Sequence, residues 1–229
     1  MMAEESAVRT GVAAFWGAEA LAHVLSWPDE NLVRFLGTRF SDRAGNAKRR
    51  AVEIGCGNGR NLFALERQGF ETLGVDISED AANNCRAILS AAGMKARVLT
   101  GAFQDVLSPA EPFDLIVWDS PFIDTEAGMA DGFARARALL KPGGMLWVKF
   151  RHPESWFAGL GAPQGGGTYL LDARAGPYAG ALYSFHDRAA GEAMLKASGF
   201  AISNAERVEL WKQNETERHV WTVFWAEAG

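Results

Sequence analysis

The chain has 229 residues, of which 48% are apolar and 22% charged. This length and composition are typical of one folded globular domain and exclude a disordered chain. Its 23 lysines and arginines against 28 acidic residues give a net charge of −5, so we expect no extended nucleic-acid surface.

The cysteines and the apolar runs exclude further classes of protein. Cys56 and Cys85 are the only cysteines, too few for a disulfide framework or a cysteine-built zinc site, and we predict no metal. The N-terminal segment lacks a basic region followed by an unbroken apolar run, and the apolar runs elsewhere are short. We therefore expect a cytoplasmic protein without a secretion signal or a membrane span.

From residue 51 to residue 150, strand-like runs alternate with helix-like runs, a pattern that predicts a parallel sheet covered by helices. The predicted strands are residues 51–54, 72–75, 97–100, 115–118 and 145–150. Residues 61–68 and 129–140 read as helices, and Ser78 is predicted to cap a third helix that Gly93 ends. The segment LKPGG, which ends at Gly144, is predicted to stop the last of these helices.

The remainder of the chain has three predicted parts. Residues 159–180 are rich in glycine and show neither helical nor strand periodicity, so we predict a long loop there. Asp187 is predicted to cap a helix reaching about Ser198. The alternating runs 201–210 and 219–226, joined by the polar turn QNETER, predict an antiparallel pair of strands.

These elements predict an α/β fold: a Rossmann-like doubly wound sheet of seven strands, mostly parallel, with an antiparallel C-terminal hairpin and helices on both faces. We expect one domain over residues 1–229. Its predicted parts are an N-terminal helical cap (1–50), a cofactor-binding core (51–150), a substrate loop (151–185) and a C-terminal helix with hairpin (186–229).

The segment EIGCGNG, residues 53–59, follows a buried strand and opens a helix, so its glycines would let a ligand approach the backbone closely. A tight turn without a ligand would explain the same glycines. Asp76 ends the next strand, where a carboxylate can accept both hydroxyls of a ribose, although it could also be a turn residue. Together the two features favour a nucleoside ligand. The spacing G-x-G-x-G departs from the G-x-G-x-x-G of nicotinamide dinucleotide sites.

Four segments in order carry a resemblance to a family: VEIGCGNGRN (52–61), LGVDIS (73–78), FDLIVWDSPF (113–122) and LKPGG. Together they resemble the class I S-adenosylmethionine-dependent methyltransferases, over about residues 51–150 and more weakly to the C-terminus. The version GCGNGRN is most similar to small bacterial enzymes acting on metabolites. The resemblance implies S-adenosyl-L-methionine as cofactor.

By position, the resemblance implies that Glu53 and the glycine backbone hold the amino-acid end of the cofactor. Asp76 would hold the ribose, and Ile77 and Phe103 the two faces of the adenine. Ala102 stands where the family often has an acidic residue for the adenine amino group, so Asp105 or a backbone carbonyl would have to substitute. The full implied set is Glu53, Gly55, Cys56, Gly57, Asn58, Gly59, Asn61, Asp76, Ile77, Ala102, Phe103 and Trp118.

Methyl transfer from a sulfonium is an in-line displacement in which a general base is optional. Asp119 follows the fourth strand, and DSPF (119–122) resembles the D-P-P-Y/F segment of amino-group methyltransferases, from which Ser120 departs. A plain turn is the alternative there. His152 follows the fifth strand and is a candidate base, although a surface loop would explain it equally. We predict Asp119 and His152 as catalytic residues.

Further residues are candidates for binding the acceptor. Arg151 could bind an anionic group, and Tyr183 and His186 could enter the same site, although His186 could simply help to start a helix. Aromatic residues of the glycine-rich segment would cover the acceptor, with N-terminal aromatics closing over it: Trp156, Phe157, Tyr169, Tyr178, Phe15, Trp16 and Trp27. We interpret His23 and His219 as structural.

The expected activity is methyl transfer to oxygen or nitrogen of a small acceptor, a metabolite or sugar that can carry an anionic group. Alternatives are methylation of a protein amino group and a nucleoside-binding, non-catalytic regulator of the same fold. A nicotinamide-dependent oxidoreductase is disfavoured by the glycine spacing and the terminal hairpin. We expect a small-molecule acceptor, no nucleic acid, no membrane, and a monomer or homodimer.

Overall fold

A computed structural model of the protein describes Gly11, residues 14–18, Ala22 and residues 25–229. From Glu30 onward the helices are α1 (Glu30–Arg39), α2 (Arg43–Asn46), α3 (Arg60–Arg67), α4 (Glu79–Ala91), α5 (Phe103–Val106), α6 (Glu126–Leu139) and α7 (Arg188–Ala197). Short 3₁₀ helices lie at Pro121–Ile123 and Ala173–Tyr178. The strands are β1 (Arg50–Ile54), β2 (Glu71–Asp76), β3 (Arg97–Thr100), β4 (Phe113–Trp118), β5 (Leu140–Arg151), β6 (Gly161–Gly165), β7 (Thr168–Leu171), β8 (Leu182–Ser184), β9 (Phe200–Lys212) and β10 (Glu217–Ala228).

Seven of these strands form one sheet in the order β3-β2-β1-β4-β5-β10-β9. β1 runs parallel to β2 and β4, β2 runs parallel to β3, and β9 and β10 pair antiparallel. The apolar run of β4 is fully buried, as expected for a central strand with both faces covered. The predicted fold class is thereby confirmed. The start of β5 differs from the prediction by five residues, because this strand begins at Leu140 rather than at Met145 and so includes LKPGG.

The chain divides into two compact units, residues 1–118 with 138–145 and residues 119–137 with 146–229. The first unit contains the four parallel strands β1 to β4, with α3 and α4 packed on them through buried Leu62, Leu65 and Leu89. The second contains the β9–β10 hairpin and α7, which packs on β9. The division into cap, core, substrate loop and C-terminal part stays a prediction.

The prediction of a long loop at residues 159–180 is wrong. Strands β6, β7 and β8 form a three-stranded antiparallel sheet, in which Tyr169 of β7 pairs with Tyr183 of β8. Gly165, Gly166 and Gly167 have φ of 91°, 53° and 75°, the left-handed region that glycine adopts without strain. These glycines make the turn between β6 and β7, and such short strands carry too few residues to show a period.

Two predicted helix caps are confirmed. The Ser78 side chain accepts a hydrogen bond from the Ala81 amide at 3.3 Å, and Asp187 accepts one from the Ala190 amide at 2.8 Å. Each satisfies an amide that the first helical turn leaves without a partner. In the described part of the chain no helix combines the length and apolar character needed to cross a bilayer.

Candidate active site

The turn between β1 and α3 is built on three glycines in the left-handed region, Gly55, Gly57 and Gly59, with φ of 69°, 50° and 78°. They serve different purposes. A Cβ at Gly59 would lie 2.6 Å from Cys85 Sγ, so packing requires glycine there. A Cβ at Gly57 would meet nothing within 4 Å, so open space lies beside this part of the backbone. A ligand can therefore approach the backbone at Gly57.

Asp76, at the end of β2, fastens this turn to the neighbouring strand. Its Oδ2 accepts a hydrogen bond from the Gly57 amide at 2.8 Å, and its Oδ1 accepts one from the Ser78 amide at 2.9 Å. Burial raises the pKa of Asp76, and these two hydrogen bonds oppose that rise. Asp76 therefore does act as a turn residue. Each of its carboxylate oxygens can still accept a second hydrogen bond, so acceptors remain for a ligand.

Glu53 and Asn61 lie together beside the same turn. Asn61, 1% exposed, donates from Nδ2 to Glu53 Oε1 at 2.8 Å. Its Oδ1 accepts from the Asp29 amide at 2.9 Å, and Asp29 caps α1 by accepting from the Asn31 amide. The sequence predicted Glu53 and Asn61 for this site. It missed Asp29. The sequence feature that could have identified this residue is an acidic side chain directly before a helical run, the position of a helix cap.

The remaining implied cofactor residues of this unit lie near their predicted elements. Phe103 and Trp118 contact each other edge to face at 5.2 Å between ring centroids, and Ala102 immediately precedes α5. Ile77 is half-buried and Asp105 is exposed. Asn58 Oδ1 accepts from Asn84 Nδ2 at 2.7 Å, so that side chain already holds α4.

Cys56 differs from its neighbours because its side chain is turned into the core. The thiol hydrogen-bonds with Cys85, and this contact together with burial raises the pKa of Cys56. A Cβ at Gly74 would lie 2.9 Å from Cys56 Sγ, so the sulfur packs on β2. Only the backbone of Cys56 is left for a ligand.

Asp119 begins the second unit, directly after Trp118 in the chain. Its Oδ1 lies 3.4 Å from Lys149 Nζ, and that ammonium lies 5.0 Å from the centroid of the Trp221 ring. Three residues on, Phe122 stacks on Tyr183 at 5.1 Å. The DSPF segment thus contributes an ion pair and an aromatic stack.

Arg151, at the end of β5, is 2% exposed. Its Nη2 lies 2.7 Å from His219 Nδ1, and its guanidinium lies 4.2 Å from the Trp221 centroid and 4.6 Å from that of Phe157. Burial lowers the pKa of Arg151, and nearby Tyr183 and Tyr178 oppose that shift. This residue was predicted to bind an acceptor.

The two histidines predicted for the site differ in their environments. The amide of Glu154 donates to His152 Nδ1 at 3.2 Å, which ties one side of that ring to its own turn. His186 is 5% exposed, and neither of its ring nitrogens has a hydrogen-bond partner among the described residues. Burial is the leading cause that lowers the pKa of both imidazoles, so both are neutral near pH 7.

Several residues around Arg151 were missed from the sequence or interpreted otherwise. Lys149 and Trp221 were not predicted, and His219 was interpreted as structural, although it contacts Arg151 directly. Lys149 and Arg151 are two apart on β5, as His219 and Trp221 are on β10. Side chains two apart share a face of a strand, so this spacing was the available signal.

Some predictions concern residues elsewhere. His23 lies outside the described residues. Phe15 and Trp16 contact each other edge to face at 5.0 Å, and Trp27 is 79% exposed. Within the part of the chain that the structure describes, no group of three or more histidine, cysteine or acidic side chains could hold a metal ion.

Comparison with known proteins finds similar sequences for part of the chain. A family model described as a methyltransferase domain matches residues 51–144. The ribosomal RNA small subunit methyltransferase C of Alcanivorax borkumensis is 33% identical over 104 residues, which are 43% of this chain and 31% of that protein. The ubiquinone biosynthesis O-methyltransferase of Methylococcus capsulatus is 30% identical over 107 residues, 44% of this chain and 43% of that protein. The chain thus spans less than half of each relative.

Among solved structures, a similar fold is that of Burkholderia thailandensis 1,6-didemethyltoxoflavin-N1-methyltransferase with bound 1,6-didemethyltoxoflavin and S-adenosylhomocysteine. It has a TM-score of 0.67 and 19% identity, covering 98% of this chain and 88% of that one. At this identity the match establishes the fold alone. Residues 51–144 thus match a methyltransferase domain, and the seven-stranded sheet has the Rossmann-like fold of the solved S-adenosylmethionine-dependent methyltransferases.

Proposed function

We propose that this protein transfers a methyl group from S-adenosylmethionine to an oxygen or nitrogen atom of a small-molecule acceptor. The observation that carries the proposal is the Asp76 carboxylate bonded to the Gly57 amide beside open space. A nucleoside with a charged amino-acid end needs acceptors for its hydroxyls, bare backbone for its carboxylate and a flat apolar surface for its base. The residues of the first unit supply all three kinds of group.

When bound, S-adenosylmethionine would supply a methyl group on a positively charged sulfur. The acceptor lone pair would bond to the methyl carbon as the carbon–sulfur bond breaks, with S-adenosylhomocysteine as the leaving group. The free lone pairs of Asp76 are suited to accept from the ribose hydroxyls. Glu53, held in place by Asn61, offers a negative charge for the amino group. Phe103 and Trp118 offer ring surface for the adenine.

On the acceptor side, the second unit offers one proton acceptor of unusual character. His186 is buried, neutral near pH 7 and without hydrogen-bond partners among the described residues. Buried polar groups are nearly always hydrogen-bonded in folded proteins, so such an imidazole is suited to a ligand hydroxyl or amine. We assign His186 the proton that leaves the acceptor as its bond to the methyl carbon forms.

The two residues predicted as catalytic have weaker support. Asp119 is ion-paired with Lys149 at 3.4 Å, so its charge is already balanced. This pairing favours a role in holding Lys149 over the amine-binding role of a D-P-P-Y/F segment. His152 keeps only Nε2 for a proton, because its Nδ1 accepts the Glu154 amide. Its role as a base stays a prediction.

Calorimetric titration tests the cofactor part of the proposal directly. We expect S-adenosylhomocysteine to bind the purified chain at one site, and NADH not to bind. Binding of NADH instead would contradict the proposal. Transfer of labelled methyl to a panel of phenols, alcohols, amines and hydroxy acids then tests the activity. Cofactor binding without transfer to any class of acceptor would favour the non-catalytic regulator.

A further inference from the structure

The guanidinium of Arg151 is buried without a direct counter-ion. The residue is 2% exposed, its Nε has no hydrogen-bond partner, and no carboxylate among the described residues forms an ion pair with it. A buried charge is strongly disfavoured unless it is paired and hydrogen-bonded. The fold therefore buries a charged guanidinium that has no ion-paired carboxylate and whose Nε donor has no acceptor among the described residues.

The groups around Arg151 compensate its charge only in part, although its side chain also hydrogen-bonds with Tyr178. Trp221 and Phe157 present ring faces at 4.2 and 4.6 Å from the guanidinium carbon, which is weaker than an ion pair. His219 Nδ1 lies 2.7 Å from Nη2, so this nitrogen accepts and the ring is neutral. His219 Nε2 in turn lies 3.5 Å from Glu217 Oε2, so this carboxylate is separated from the guanidinium by the imidazole ring.

The local charge balance defines what would complete the site. We call Asp119, Lys149, Arg151, Phe157, His219 and Trp221 the Arg151 cluster. Lys149 is paired with Asp119, and His219 is neutral, so Arg151 is the cation of the cluster that forms no ion pair with a carboxylate of the described residues. A monoanion would neutralise it, whereas a phosphate dianion would leave an unbalanced negative charge.

The shape of the surroundings agrees with a flat ligand. Phe157 is fully buried and stacks on Tyr178 at 4.3 Å, whereas Tyr178 and Trp221 are half-buried, so Trp221 is the ring over the guanidinium that is partly open to solvent. A planar carboxylate matches the fork of a guanidinium, whose donors lie in one plane. Rings on both sides suit an aromatic or otherwise flat apolar body behind that carboxylate.

We infer that the Arg151 cluster binds the carboxylate of an acceptor with a flat, apolar body, so that the substrate class is aromatic or unsaturated carboxylic acids. That the bound carboxylic acid is a methyl acceptor rests on the proposed methyltransferase function. The binding itself can be measured without turnover.

Ligand-observed NMR titration with benzoate, benzamide and phenyl phosphate provides the test. We expect benzoate to bind the wild-type chain more tightly than either of the others. In Arg151→Met the benzoate affinity should fall by about 10- to 100-fold, while the weak benzamide affinity stays the same. Arg188→Met is the matched control, because it removes one positive charge from an exposed helix position. Its benzoate affinity should equal that of the wild type.

A purely structural role for Arg151 would weaken benzoate and benzamide alike, and that result would overturn the inference. Equal affinity for benzoate in Arg151→Met and the wild type would do the same. Should Arg151→Met fail to fold by circular dichroism, Arg151→Lys retains the charge but loses the fork and Nε. We then expect benzoate binding to weaken by about tenfold with benzamide unchanged; an unaltered benzoate affinity would contradict the inference.

Each titration is repeated with S-adenosylhomocysteine present, which separates the two proposals. If S-adenosylhomocysteine binds but benzoate does not, the carboxylate inference fails and the methyltransferase function stands. If benzoate binding depends on Arg151 but S-adenosylhomocysteine does not bind, the site is an anion site and the proposed function fails.

Discussion

Asp76→Asn should separate ligand binding from folding. Asparagine keeps the size of the side chain but removes its charge and one of its acceptors. In the structure both carboxylate oxygens of Asp76 accept backbone amides, at 2.8 Å from Gly57 and 2.9 Å from Ser78. The amide side chain can accept only one of these, so about 1.5–3 kcal/mol of charge-assisted hydrogen bonding is lost.

An opposing effect comes from burial, which is the larger cause and raises the pKa of Asp76 above its ordinary 3.8. A raised pKa in the folded state means that stability is fully present below pH 3.8 and declines as the pH rises through the folded value. Ionised Asp76 therefore costs folding free energy near pH 7, and asparagine removes that cost. We expect the free energy of unfolding to change by less than about 1.5 kcal/mol.

Affinity for S-adenosylhomocysteine should fall much more clearly, by about 10- to 100-fold, because the charged acceptors for the ribose hydroxyls are gone. Calorimetry measures the affinity and urea denaturation the stability. Asp80→Asn is the control, since Asp80 is an exposed acid in the first turn of α4 and its loss removes the same charge. Unchanged affinity in Asp76→Asn would remove Asp76 from the cofactor site. A large loss of stability would show that it only supports the turn.

Three further outcomes are expected. His186→Phe should lower turnover by about 10²- to 10⁴-fold with unchanged S-adenosylhomocysteine affinity, and full activity in this variant would exclude His186 as the base. Burial lowers the pKa of His186 below 6.5, with Glu126 and Asp187 opposing, so wild-type turnover should rise with pH through that lower value and then level off. The same depressed pKa means that wild-type stability is lost as the pH falls through it, and His186→Phe should show less of this acid loss in a denaturation series. Gly59→Ala should reduce the free energy of unfolding by about 2–4 kcal/mol, because φ is 78° and the new Cβ would lie 2.6 Å from Cys85 Sγ. Adding Cys85→Ala removes the sulfur and should recover the steric part of this loss. If the stability losses of the two single variants simply add in the double variant, the clash is refuted.

The features that the sequence predicted well are those with local causes. β3 was predicted at its observed bounds, and the caps at Ser78 and Asp187 were identified from residue type and position. A cap involves residues three apart, and a buried strand shows as an unbroken apolar run, so both are visible in a short window. The glycine turn and the position of Asp76 also have local causes, since a strand end and a positive φ are properties of a few adjacent residues.

The tertiary structure decided the pairings between distant residues. Arg151 and His219 lie 68 positions apart, and their contact depends on where β5 and β10 lie. His186 lacks hydrogen-bond partners among the described residues, and Asp119 is ion-paired with Lys149; both facts follow from which side chains surround each group. The small sheet of β6, β7 and β8 is similar, because its short strands become recognisable only once paired. Residue type and local spacing thus predicted a nucleoside ligand at the glycine turn, while the register of strands far apart in the chain determined which side chains contact one another in the second unit.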